Sequence, residues 1–172
     1  KENSISKITL TCSGGPFYKL SKSKFKNISL KQALKHPIWQ MGQKITIDSS
    51  TLMNKALEII EAKYLFNEEP DKIEAIIHPE GLIHSFVEFC DGTILAAMAI
   101  PDMKIPISYG LSYPDTVESH TNKINLQQLK NLSFKTIDPL KFPSIDFAYF
   151  ALNQFKAKYA NCLLYTSDAA DE

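Results

Sequence analysis

The chain carries no net charge: its 19 positive residues, all lysine, balance 19 Asp and Glu. No global field draws it to nucleic acid or to an anionic membrane, and neither partner is expected. Paired cysteines are also lacking. Cys12, Cys90 and Cys162 are an odd, scattered set with no CxxC, which argues against a zinc knuckle and a disulfide scaffold. Three unpaired thiols suit the reducing cytoplasm of a bacterium. No apolar run approaches the length of a membrane span, and no signal-peptide pattern opens the chain, so a soluble protein is expected. An initiator Met is missing too, since Lys1-Glu2-Asn3-Ser4 runs straight into a strand pattern. There is no internal repeat. The 172 residues suffice for one core-bearing domain with a small appendage.

What is present reads as alternating strands and helices. Ile5 to Leu10 is a short strand that runs into Ser13-Gly-Gly-Pro-Phe17, where two glycines permit a tight path and exposed amides. Tyr18 to Lys35 is Lys-rich, with a weak helical period at Leu30, Ala33 and Leu34. Ile45 to Ile47 reads as a brief strand. The principal helix is expected from about Ser49 to Phe66, with an apolar face of Leu52, Met53, Ala56, Ile59, Ile60 and Tyr64. Thr51, Asn54, Lys55, Glu58 and Glu61 fall on its other side, and Asn67 and Pro70 close it. Strands follow at Ile73 to His78 and Leu82 to Cys90, and Asp91-Gly92 signals a two-residue hairpin into Thr93 to Ala99. A helix with Pro106 in its first turn ends at Pro114-Asp115. Glu118 to Pro143 is polar and irregular. Ser144 is placed as the N-cap of a last helix that buries Ile145, Ala148, Tyr149, Leu152 and Phe155.

The chemistry concentrates at Asp48-Ser-Ser-Thr-Leu-Met-Asn-Lys-Ala-Leu-Glu58. A helix N-terminus presents unpaired N–H groups and a positive dipole end, a ready anion site. Taken alone, Asp48, Ser49 and Ser50 read as caps of that helix. Asn54 and Lys55 one turn on tilt the balance, because an amide and an ammonium beside an N-terminus suit a phosphate monoester. Ser13-Gly-Gly-Pro could add a hydroxyl and amides, or be only a turn. Glu58 lies a further turn along; it is either a solvated helix glutamate or the carboxylate of a Mg²⁺ or Mn²⁺ ion beside the phosphate. His36-Pro-Ile-Trp-Gln-Met-Gly42 puts an aromatic in a Lys-rich stretch, as a lid closing over a ligand or as a core anchor for the loop. His78 reads as a core histidine, and His84 stays open.

In order, Ser-Gly-Gly-Pro-Phe, His-Pro-x-Trp-x-Met-Gly, Lys-Ile-x-x-Asp-Ser-x-Thr-x-Met-Asn-Lys-x-Leu-Glu, Ile-His-Pro with Ile-His-Ser, and Pro-Asp-Met closely resemble the 1-deoxy-D-xylulose 5-phosphate reductoisomerase family, from Ile5 to about Ala160. The resemblance implies an NADPH-dependent enzyme of non-mevalonate isoprenoid biosynthesis. Such an enzyme rearranges a ketose phosphate and reduces the product to 2-C-methyl-D-erythritol 4-phosphate. By the same resemblance Ser13, Ser49, Asn54 and Lys55 hold the substrate phosphate. Glu58 is one of three carboxylates on a divalent metal. His36, Trp39 and Met41 sit on a flap over the substrate, His84 lies in the substrate site, and Met103 and Met41 serve the cofactor end. The family's Gly-rich NADPH segment and its Asp-Ser-Glu metal segment are not in this sequence. Cys12 and Gly81 replace an expected small residue and an expected polar one.

The implied fold is α/β: a mixed sheet with a β-hairpin and packed helices, then a linker arm and the first helix of a C-terminal helical domain. Residues 1–117 are assigned to the catalytic domain, 118–143 to the arm and 144–161 to the helical domain. Residues 162–172 resemble a translated sequencing adapter, and both ends look cut. The family implies a homodimer, and the chain alone is expected to be inactive. Two alternatives from other classes are a non-catalytic phospho-ligand binding module and a metal hydrolase built from His36, His78, His84 and Glu58.

Overall fold

A computed structural model describes residues 4–38, 42–129 and 131–154. Four strands form one sheet in the order β2-β1-β3-β4: β1 (Ile5–Cys12), β2 (Ile73–Ile77), β3 (Ile83–Phe89) and β4 (Ile94–Met98). β1 runs parallel to β2, with Ile8 opposite Ile73 and Cys12 opposite Ile77. It runs antiparallel to β3, and β3 antiparallel to β4. A parallel pair needs a crossover. The crossover holds α1 (Leu30–Ala33), α2 (Gln43–Ser50) and α3 (Met53–Phe66). α4 (Lys104–Ser112) follows the hairpin, and α5 (Ser144–Gln154) packs on α3.

The core lies between the sheet and α3, where Leu52, Ala56, Ile59 and Ile60 meet Ile8, Ile73, Phe142, Ile145 and Ala148. These are positions that the 3.6-residue period places on one face. Tyr64, expected on that face, is exposed near the end of α3, beyond the cover of the sheet and α5. Asn67 ends α3 in the left-handed region (φ 52°), as a helix-stopping Asn does. On α5, Ile145, Ala148 and Ala151 are buried and Tyr149 and Leu152 half-buried; Phe155 lies outside the described residues.

Four local expectations are corrected. Ile45 to Ile47 is helical, within α2. The Thr46 hydroxyl donates to the Gly42 carbonyl (2.7 Å), that of Ser50 to the Ile47 carbonyl (2.7 Å), and Lys44 pairs with Asp48 at 2.9 Å. These turn-to-turn bonds suit a helix, and they outweigh the weak strand preference of three residues. Second, the long helix does not start at Ser49, because Leu52 breaks it in a left-handed conformation (φ 60°) and α3 begins at Met53. That backbone costs about 1–2 kcal/mol in a non-glycine residue. Burial of the Leu52 side chain to 2% exposure offsets it.

Third, the hairpin turn is longer than two residues. Gly92 alone takes a positive φ (85°), its N–H donates to the Phe89 carbonyl (2.9 Å), and the Asp91 carboxylate accepts from the Thr93 N–H (2.8 Å). The Asp side chain thereby stabilises a local turn that does not require Asp91 itself to be left-handed. Fourth, Ser144 is the first residue of α5, and its hydroxyl donates to the Thr51 carbonyl (2.7 Å), tying α5 to the α2–α3 junction.

Candidate functional site

The end of β1 delivers Ser13 to the junction of α2 and α3. Between them the chain passes so close that a Cβ on Gly15 would stand 2.7 Å from the Ser49 carbonyl oxygen, at φ +64°. Glycine is required there, and it brings the Ser13 loop beside the last turn of α2. The Ser13 hydroxyl accepts from the Gly15 N–H (3.2 Å) and meets His36 Nε2 at 3.2 Å. His36 Nδ1 accepts from the Ile38 N–H (3.2 Å). That fixes the neutral tautomer with the proton on Nε2, facing Ser13. Ser13, accepting from both sides, keeps its own hydrogen to donate to a ligand. Burial lowers the His36 pKa from its usual 6.5, which favours the same neutral form.

Asn54 and Lys55 occupy the first turn of α3, and Glu58 lies one turn further along. The Asn54 amide donates to Glu58 Oε1 (2.9 Å), and the Lys55 ammonium donates to Glu58 Oε2. Lys55 is buried to 8% exposure, so it is not the solvated lysine that its sequence position allows. A buried ammonium needs a nearby anion, and here Glu58 supplies one. The Asp48-Ser49-Ser50 triplet does not cap α3. It closes α2, with Asp48 on Lys44 and Ser50 on Ile47. Thr51 takes the capping role in part, its hydroxyl accepting from the Met53 N–H (3.4 Å).

These groups share one cleft of about 440 Å³, which gathers Ser13, His36, Ser49, Asn54, Lys55, Glu58, His84 and Met103. Eight of the ten residues singled out from the sequence thus converge. The other two, Trp39 and Met41, lie outside the described residues. His84 closes one side, with Nε2 at 3.1 Å from the Ala99 carbonyl, and Met103 stands exposed at the rim. Thr11, Cys12, Ile38, Ile45, Gly81 and Ile83 complete the wall. Thr11 lies outside the motifs and Ile38 at a variable position of one, whereas Ile45 and Ile83 stand in the Lys-Ile-x-x-Asp-Ser and Ile-His-Ser motifs without polar chemistry to single them out; register and packing bring all four there. The Thr11 hydroxyl donates to the Ile83 carbonyl. Cys12 presents a thiol whose pKa burial raises, Lys55 only partly countering it.

Glu58 is the one carboxylate lining this cleft, and among the described residues no three His, Cys, Asp or Glu side chains converge as a metal site. The residues present therefore fit a divalent ion as a single ligand and do not form a complete site. A hydrolase centre of His36, His78, His84 and Glu58 is excluded by geometry. His78 is fully buried away from the cleft, stacked on Phe134 at 4.8 Å, with Nδ1 on the Ser133 carbonyl (2.9 Å). A larger cleft, about 730 Å³, lies between Met98–Ile100, α4 and residues 116–124 and holds none of the residues singled out from the sequence. No helix among the described residues is long and apolar enough to cross a membrane.

Residues 1–66 match a family model described as the 1-deoxy-D-xylulose 5-phosphate reductoisomerase C-terminal domain, and residues 98–172 match one described as the DXP reductoisomerase C-terminal domain. The 1-deoxy-D-xylulose 5-phosphate reductoisomerase of Desulforamulus reducens is 53% identical over 147 residues, covering 86% of this chain and 38% of the relative. That of Endomicrobium trichonymphae is 50% identical over 151 residues, covering 88% and 39%. Among solved structures, a DOX-P reductoisomerase in complex with NADPH, fosmidomycin and magnesium superposes with a TM-score of 0.82 at 45% identity, covering 86% of this chain and 36% of that one. The Zymomonas mobilis reductoisomerase in complex with NADPH gives 0.80 at 37%, covering 87% and 38%. The chain spans about two fifths of the length of the curated relatives it matches.

Proposed function

The chain belongs to the 1-deoxy-D-xylulose 5-phosphate reductoisomerase family, and from that premise we propose that it forms the phosphate-holding part of such an enzyme's active site. The reaction is the NADPH-dependent conversion of 1-deoxy-D-xylulose 5-phosphate to 2-C-methyl-D-erythritol 4-phosphate, rearrangement before reduction. The observation that carries this reading is the convergence of Ser13, Ser49, Asn54 and Lys55 with Glu58 in one cleft. Lys55 and Asn54 turn from Glu58 to the phosphate, exchanging one anion for another, while the Ser13 and Ser49 hydroxyls donate from the opposite wall. His36, neutral and bonded to Ser13, orients that hydroxyl and anchors the flap to which Trp39 and Met41 belong. Closure of the flap excludes water from the reacting carbons. His84 would face the substrate carbon chain, and Met103 at the rim would lie toward the nicotinamide end of a bound cofactor.

A divalent metal supplies charge stabilisation at the substrate oxygens, and NADPH supplies the hydride. Glu58 is one ligand to that metal, and a single carboxylate does not hold the ion. The 172-residue chain by itself is accordingly inactive in this reading. Residues 1–117 are catalytic domain, 118–143 the connecting arm, and α5 the opening of a helical domain. The protein acts in the cytoplasm as a homodimer, with edge strand β4, where Ile94 and Leu95 are exposed, as the face a second copy covers.

A chimera tests the assignment: residues 4–154 replace their counterpart in the Desulforamulus reducens relative. Consumption of NADPH with 1-deoxy-D-xylulose 5-phosphate is expected, falling at least about tenfold in Lys55→Ala as a charged hydrogen bond is lost. A chimera that folds, dimerises and leaves NADPH untouched would overturn the reading. Steady turnover by the isolated chain would overturn its inactivity.

A further inference from the structure

The Ser13–Phe17 loop has little to hold it from within. Two of its residues, Gly14 and Gly15, take positive φ values; among the described residues the Gly15 N–H donates to Ser13 within it, and the Leu20 N–H donates to the Phe17 carbonyl at its exit. Its order comes from outside, and much of it from the arm more than 100 residues later in the chain. Lys135 pairs with Ile77 through two backbone bonds of 2.8 and 2.9 Å. Ser133 donates to Glu80 through its N–H (3.2 Å) and its hydroxyl (2.6 Å), and its carbonyl accepts from His78. The His78 N–H in turn donates to the Cys12 carbonyl at 2.7 Å, directly before the loop.

On the far side of the loop, the Lys141 ammonium donates to the Tyr18 carbonyl at 2.6 Å, and Lys135 stands 5.6 Å over the Tyr18 ring. Tyr18 is the floor under Gly14: a Cβ there would meet Tyr18 at 2.8 Å. The arm thus grips both ends of the loop, at Cys12 through His78 and at Tyr18 through Lys141.

We infer that residues 133–142 are a strap that positions the Ser13–Phe17 anion loop from behind, with Lys141 as the positioning residue. The inference rests on the reading of that loop as part of a phosphate site. A loop ordered in advance spares the anion the cost of ordering it on binding, so loosening the strap weakens binding without removing any group that touches the ligand.

The test uses the 172-residue chain with Lys141→Met, Lys141→Arg and Ser133→Ala, following amide hydrogen exchange at Gly14 and Gly15 and titrating with inorganic phosphate. Met keeps an unbranched stem of similar length and removes the ammonium, which stands 6.0 Å over the Phe25 ring and 5.7 Å over the Phe142 ring, whereas Arg keeps the charge. Lys141→Met is expected to speed exchange at Gly14 and Gly15 about tenfold and to weaken phosphate binding about tenfold, the scale of one charged hydrogen bond. Ile59 and Ile60 amides should be unchanged, Arg should restore both readouts, and Ser133→Ala should act in the same direction as Met. Unchanged exchange at Gly14 and Gly15, or exchange accelerated equally at Ile59 and Ile60, overturns the strap. Failure of Arg to restore either readout in a folded chain also overturns it. Acceleration confined to the glycines, with no phosphate bound by the unaltered chain, sustains the strap and sinks the anion reading instead.

Discussion

Replacing Gly15 by alanine puts the closest approach in the candidate site under load. The new Cβ would stand 2.7 Å from the Ser49 carbonyl oxygen and 3.2 Å from Ser50 Cα, both backbone atoms that no rotamer change can move. The left-handed φ costs a non-glycine residue about 1–2 kcal/mol. Forcing backbone apart adds roughly 1–3 kcal/mol. The stiffer unfolded chain returns about 0.4–1 kcal/mol. A net loss of about 2–4 kcal/mol is expected, or a fall of one to two molar in the urea midpoint at a slope of about 2 kcal/mol per molar. Gly92→Ala is the internal control, since Gly92 has a similar φ of +85° but nothing within 4 Å of its Cβ position. Only the backbone penalty applies there, about 1 kcal/mol. Urea titrations of both variants, followed by circular dichroism, give the comparison. If Gly15→Ala costs no more than Gly92→Ala, the Ser13 loop does not abut α2, and the shared cleft built on that contact fails with it. In a Gly15→Ala chain that still folds, inorganic phosphate should bind more weakly, because Ser13 and Ser49 are pushed apart, whereas Gly92→Ala should bind normally.

Burial lowers His36 below its usual 6.5, so the unfolded chain takes up this proton at a higher pH than the folded one. The His36 contribution is therefore constant above pH 6.5 and becomes increasingly unfavourable to folding as pH falls from there toward the folded pKa; urea midpoints at pH 7.5 and 5.5 should drop less in His36→Gln than in the unaltered chain. In a Cys162→Ser background, exposed Cys90 should react with a thiol reagent at neutral pH at least about tenfold faster than Cys12, whose burial both hides the thiol and raises its pKa. Equal rates would show that the cleft wall at Cys12 is open.

Local chemistry was readable along the chain. The 3.6-residue period of Leu52 to Ile60, the helix stop at Asn67, the turn at Asp91-Gly92 and the cluster of Asn54, Lys55 and Glu58 all rest on neighbours a few residues apart. Such neighbours interact through short-range terms that any sequence displays. Tertiary structure decided the rest. Ile45 to Ile47 lies in a helix because its flanking hydroxyls and charges bond along the helix turns, and among the described residues no strand pairs with it. Leu52 holds a left-handed backbone because its side chain has a core to fill. The Lys55–Glu58 pair, spaced like an ordinary exposed i, i+3 contact, is drawn into the cleft by the Ser13 loop and β3 around it. Bonds such as Lys141 to Tyr18, 123 residues apart, and Ser144 to Thr51, 93 apart, leave no trace in spacing or composition. The sequence determined which groups the site would contain. How near they stand, which are buried and what holds them in place came from packing across distant segments, whose energies depend on three-dimensional neighbours that no local pattern encodes.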